Sequence, residues 1–138
     1  PGTPGTESEP VCTQIGCVSG TTISLQIPAA LAASPGSVIK TCFRERCATS
    51  PLPAANGPCQ FAGQQPSVSA CGVQAGVLKL TLTIPSTDMK DGDLYSLEVT
   101  DPSGQTSQKA MIERSVRYTK VEPNGPKCGP VCYQATIE

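Results

Sequence analysis

The sequence predicts an all-β, disulfide-rich sandwich of six to seven or more strands, and three observations carry that prediction. Several short segments alternate apolar and polar residues with the period of two that a half-buried strand requires. Eight cysteines stand in a chain of 138 residues that also holds 14 prolines and 13 glycines, the composition of an exported scaffold braced by disulfides. No segment shows the 3.6-residue period over the length an independent helix needs. At this length, with no break in composition, the chain reads as a single domain over residues 11–138. Residues 1–10 contain no large apolar side chain and cannot offset their own ordering entropy, so they read as a flexible tether.

The strands follow in order. Thr21 to Ile27 alternates, with Ile23, Leu25 and Ile27 on one face and Thr22, Ser24 and Gln26 on the other, until Pro28 ends it. Ala29 to Ser34 has room for about one helical turn before Pro35-Gly36 breaks the chain, and Ser37 to Phe43 is a second β-prone run. Val77 to Ile84 is the clearest strand, with Leu78, Leu80, Leu82 and Ile84 opposed to Lys79, Thr81 and Thr83. Tyr95, Leu97 and Val99 repeat the pattern. Asp101-Pro102-Ser103-Gly104 then has type I turn composition, which implies a hairpin. Its return strand runs from about Ser107 towards Val121, with Ala110, Ile112, Val116 and Tyr118 inward and Arg114 interrupting as a bulge or bend. After the breaker Pro123-Asn124-Gly125-Pro126, Val131 to Glu138 makes the last strand, with Val131, Tyr133, Ala135 and Ile137 on one face.

Pro51 to Gln74 lacks periodicity and carries four prolines and two cysteines, so it reads as a long loop at about residues 50–75, bridged by Cys59 and Cys71. Such a loop is either a contact surface or the cover of a sheet edge. Eight cysteines allow about 105 pairings, which local geometry narrows. Cys42 and Cys47 oppose each other if Arg44-Glu45 forms a two-residue hairpin turn, although Arg-Glu is a poor choice for the positive φ such turns demand. If the first and last strands lie side by side, Cys12 and Cys17 meet Cys128 and Cys132 in one order or the other. Local pairs Cys12 with Cys17 and Cys128 with Cys132 are the alternative.

Charge and composition exclude several functions. The formal net charge is −1, with lysines and arginines scattered, so no basic footprint for nucleic acid or an anionic membrane is present. Three tyrosines and two phenylalanines provide no stacking platform for bases. No apolar run reaches the roughly 18 to 20 residues that a transmembrane helix needs. There is no histidine, which removes Ser-His-Asp and Cys-His nucleophilic systems and any imidazole metal site. Zinc and a redox-active dithiol are disfavoured because no Cys-x-x-Cys occurs. Asp88, Asp91 and Asp93 cluster in one turn, where they serve to solvate it and to cap the corner before Tyr95; a calcium ion is the weaker reading. Lys40, Arg44 and Arg46 form a small basic spot that reads as a solvated turn. No cofactor is called for.

Leu80-Thr-Leu-Thr-Ile84, Asp91-Gly-Asp-Leu-Tyr95-Ser-Leu97-Glu-Val99 and Asp101-Pro-Ser-Gly104 together resemble the strand E to strand F region of immunoglobulin-like domains, with Asp91 four residues before the tyrosine of a tyrosine corner. The resemblance implies an immunoglobulin-like β-sandwich. Leu97 stands where a core cysteine is common, and no tryptophan is present, which separates the chain from antibody-type domains. A second resemblance spans the ends: Cys12-Thr-Gln-Ile-Gly-Cys17-Val-Ser-Gly20, Val38-Ile-Lys-Thr-Cys42, Arg46-Cys47 and Pro123-Asn-Gly-Pro-Lys-Cys128-Gly-Pro-Val-Cys132-Tyr-Gln-Ala135 are similar to small exported or lipid-anchored actinobacterial proteins. That resemblance implies export, with or without a lipid anchor, and a β fold.

These readings converge on a non-catalytic binding or structural module, secreted or at a bacterial cell surface, with an extracellular protein or envelope component as partner. The alternatives are a secreted protease inhibitor presenting the Cys59 to Cys71 loop and a carrier of a small apolar ligand.

Overall fold

The computed structural model describes residue 12 and residues 14–53, 57–102 and 109–138. Residues 1–10 of the expected tether, and Ser103 and Gly104 of the expected type I turn, lie outside the described residues.

The described chain forms nine strands: β1 (Gly20–Gln26), β2 (Val38–Phe43), β3 (Arg46–Pro51), β4 (Ser67–Gln74), β5 (Val77–Thr83), β6 (Leu94–Thr100), β7 (Lys109–Ser115), β8 (Thr119–Val121) and β9 (Cys132–Ile137), with a short α-helix, α1 (Ala29–Ala33), and a 3-10 turn at Ser86–Asp88. They make a five-stranded sheet in the order β4-β5-β1-β9-β8 and a four-stranded sheet in the order β3-β2-β6-β7. Alternation dictates what each sheet turns inward. Ile23 of β1 and Leu78, Leu80 and Leu82 of β5 face Ile39 and Phe43 of β2, Ala48 of β3, Tyr95, Leu97 and Val99 of β6 and Ala110 of β7 in one continuous core. Each of the three β5 leucines is at most 1% exposed, and burying such a side chain is worth about 2 kcal/mol. The single turn α1 survives because it drops Leu31, also fully buried, onto the end of that core.

All pairs are antiparallel except β1 with β9, which run parallel from Gly20 opposite Gln134 to Ile23 opposite Ile137. This pairing brings the two ends of the chain together. Cys12 joins Cys128 and Cys17 joins Cys132, across 116 and 115 residues. Asn124 adds a polar clasp, its side chain accepting from Ile15 N–H and donating to the carbonyls of Ile15 and Gly129 at 2.8–2.9 Å. Cys42–Cys47 and Cys59–Cys71 are the other bridges. By loop-closure entropy a bridge over more than a hundred residues contributes about 5 kcal/mol, and one over five residues about 2.

Three expectations are corrected. The segment at about 50–75 is not one loop: Ser67–Gln74 is an edge strand paired with β5. The expected return strand to Val121 is two strands in different sheets, because the chain crosses the sandwich at Val116–Tyr118. There Val116 N–H donates to Asp93 O at 3.0 Å and Tyr118 N–H to Asp91 Oδ1 at 3.0 Å. Val131, expected inward, precedes β9 and is 43% exposed.

Candidate functional site

Two places concentrate unusual side-chain arrangements. The first is the corner where the β2–β3 hairpin meets the start of β6. Arg44 sits in the Arg44-Glu45 turn with φ 57°, the left-handed region that costs a non-glycine residue about 1 kcal/mol or more. The anticipated mismatch between Arg and this turn is real, and contacts around the side chain offset it. The guanidinium stacks 4.5 Å from the Phe43 ring centroid, its Nε donates to Asp93 Oδ1 at 3.0 Å, and Nη2 donates to the Asp88 carbonyl. Its backbone N–H donates to Leu94 O at 2.8 Å.

Asp93, whose side chain is 5% exposed, is the centre of this corner. Oδ2 accepts from Lys90 N–H at 2.9 Å and from the Tyr118 hydroxyl at 2.7 Å, and the Tyr118 and Tyr95 hydroxyls lie 2.6 Å apart. Burial by itself would raise the Asp93 pKa; the Lys90 N–H, the Tyr118 hydroxyl and the Arg44 guanidinium outweigh it and hold the carboxyl below its ordinary value. Burial, followed by the hydrogen bonds with Tyr95 and Asp93, pushes the Tyr118 phenol well above its ordinary value. An ionised carboxylate whose oxygens are met by this many donors is a poor general base.

The arrangement also disposes of the three aspartates as a set. Asp91 caps the Tyr118 N–H, Asp93 takes Arg44 and Tyr118, and Asp88 offers its backbone carbonyl rather than its carboxylate. Arg44 takes Asp93 Oδ1, and among the described residues no three His, Cys, Asp or Glu side chains are grouped as a metal site. Of the basic spot, Arg44 is drawn into the corner, while Lys40 and Arg46 point to solvent from β2 and β3.

The second place is the outer face of β4 and β5. Opposite Val77, Lys79 and Thr81 of β5 stand Gln74, Gly72 and Ala70 of β4. Because Gly72 and Ala70 bring almost no side chain, the sheet surface sinks there into an open groove of about 950 Å³, walled by Gly57 and Pro58. Pro58 pairs with Gly72, and Cys59–Cys71 fixes that wall to the strand. A smaller hollow of about 570 Å³ lies between Arg114–Arg117 and the last residues of β9.

Residues 57–66 do not stand away from the body. Phe61 is buried in the core. The Gln64 amide accepts from Thr49 N–H at 2.9 Å and donates to Thr49 O at 2.7 Å, pairing with the edge of β3 as a neighbouring strand would. Gln60 N–H donates to Ser50 Oγ at 2.9 Å. This part of the segment is an edge cover.

Sequence reasoning did not find the role of Tyr118, the clasp at Asn124 or the edge pairing by Gln64. No local signal marks them, since Asp93, Ile15 and Thr49, the partners that define these roles, lie 15 to 109 residues away in the chain. No protein-family model, curated protein or solved structure matches the chain.

Proposed function

We propose that the chain is a non-catalytic extracellular module of immunoglobulin-like topology that binds a partner through the groove on the outer face of β4 and β5. The observation that carries the reading is the groove itself: a concavity of about 950 Å³ braced by the Cys59–Cys71 bridge, on a scaffold whose buried carboxylate is committed to an ion pair and three hydrogen bonds. Rigid concave surfaces with few charges suit recognition, and among the described residues that line this one Lys79 is the single cation.

Support for the topology comes from the connections. Strands β1 to β7 alternate between sheets as the B, C, C′, D, E, F and G strands of immunoglobulin sandwiches do, giving β4-β5-β1 on one side and β3-β2-β6-β7 on the other. Parallel β9 then occupies the side of β1 where such domains carry a leading strand. Four disulfides fit an oxidising environment, and among the described residues no helix is long and apolar enough to cross a membrane. The location we assign is the secretome or outer surface of a bacterial cell, with a lipid anchor as one means of retention.

The test fills the groove. Immobilised oxidised protein and its Ala70→Arg variant, compared for folding by circular dichroism, are exposed to envelope extract and culture fluid of the source cells. The proposal expects a component retained by the parent and lost from the folded variant. Identical retention by both would remove the groove from the function, and a reproducible hydrolytic or transfer activity in the pure protein would overturn the non-catalytic reading.

A further inference from the structure

We infer that the Cys42–Cys47 bridge is a thiol–disulfide exchange site whose co-reactant is an exposed dithiol on another protein. Its placement differs from that of the other three bridges. Each end-to-end bridge has one buried cysteine, Cys128 at 7% and Cys132 at 3% exposed, although Cys12 is exposed and Cys17 half-buried, and the half-buried Cys59 and Cys71 pack against the core. Cys42 and Cys47 sit directly opposite each other in the β2–β3 ladder on the solvent face of the four-stranded sheet, Cys47 exposed and Cys42 half-buried. An attacking thiolate therefore has a path to Cys47 Sγ.

The bridge is also the one whose loss the fold tolerates best. It closes five residues, and both strands are held without it. Ile39, Thr41 and Phe43 anchor β2 in the core, while β2 pairs along its whole length with β6. Ala48 and Ser50 of β3 are buried, and Gln64 secures the outer edge at Thr49. Cys42 stands opposite Ser96 of β6, with Lys40, itself opposite Glu98, two residues back on the same face.

In the step itself, a thiolate of the external dithiol attacks Cys47 Sγ. The Cys42–Cys47 sulfur–sulfur bond breaks, and its electron pair leaves on Cys42, which takes a proton from water. The second thiol of the reductant then attacks its own sulfur in the mixed disulfide and releases Cys47. Two electrons and two protons have passed to the bridge, and the reductant has become a disulfide.

The experiment incubates the full oxidised chain with a thioredoxin-type protein dithiol, regenerated by its reductase, and separately with a small dithiol at equal concentration. Free thiols are trapped with iodoacetamide and mapped by mass spectrometry. Cys42 and Cys47 are expected to be labelled about tenfold faster than the other six, with unchanged circular dichroism, and the protein dithiol to act about tenfold faster than the small one. A thioredoxin-type variant lacking its resolving cysteine should be captured on Cys47. Earlier opening of another bridge, release of all eight thiols together, capture on Cys42, or equal rates with the two reductants would each overturn the assignment. A Cys42→Ser/Cys47→Ser double variant should retain its fold and lose the fast labelling, whereas persistence of fast labelling at other cysteines would count against it.

Discussion

Arg44 shows how a residue that local rules disfavour is kept by distant partners. Its left-handed backbone is a cost, and its stack on Phe43 and its bonds to Asp93 and the Asp88 carbonyl are the return. Replacing it separates the two. Arg44→Gly and Arg44→Ala both lose the side-chain contacts, but only alanine keeps the strain, so Arg44→Ala should be the less stable of the pair by about 1 kcal/mol in urea unfolding. Equal stabilities would show that the turn is not strained. Asp93 makes a pH prediction. Its folded pKa lies below the ordinary 3.8, so the stability it confers is complete above about pH 4 and is lost as the pH falls through the lower folded value. Asp93→Asn should cost about 2 kcal/mol at neutral pH and flatten the acid limb of the stability curve. A variant with the parent's acid limb would mean that another carboxylate governs it. Neither side-chain partner of Asp93 could be found from the turn sequence Asp88 to Asp93. Arg44 and Tyr118 are 49 and 25 residues away, and only the folded corner brings them together.

At the scale of elements, strands with unbroken alternation were legible and the others were not, for identifiable reasons. β5 could be placed from Leu78, Leu80 and Leu82 alone. β4 was hidden because a bulge between Val68 and Ala70 shifts its register. Val68, Cys71 and Val73 all pack towards the core, a spacing of three and then two that no period of two reveals. The opposite error occurred after β7. Ala110, Ile112, Val116 and Tyr118 keep an even spacing through the crossing, so periodicity carries no sign that the chain leaves one sheet for the other. The groove was invisible for a related reason, being made by what Ala70 and Gly72 lack. Gly20 shows how tightly the pairing of β1 and β5 is set. A Cβ there would overlap the Leu82 carbonyl oxygen, so Gly20→Ala should lower stability by about 3 kcal/mol, read from the urea midpoint. A loss of a few tenths would mean that the strands part easily at this point.

The whole molecule is organised by the joining of its ends. Expectation from sequence reached the pairing of two cysteine clusters but not its order, which depends on the parallel register of β1 and β9. Loop length ranks the bridges. Replacing Cys12, Cys17, Cys128 and Cys132 together by serine opens the long loop and should cost at least about 5 kcal/mol, whereas replacing Cys42 and Cys47 should cost about 2. Similar losses in equilibrium denaturation would show that native strain or residual structure, rather than loop closure, sets their worth.

The staple has a mechanical meaning as well. Tension applied ahead of Cys12 and beyond Cys132 crosses from one end to the other through sulfur, so the strands between carry almost none of it. The roughly 115 residues enclosed would otherwise pay out about 40 nm of slack on rupture. With the bridges intact the unit is a link of fixed length, and a protease cut within it leaves both fragments attached. Such a unit can hold station under flow or shear whether or not its sheets stay folded.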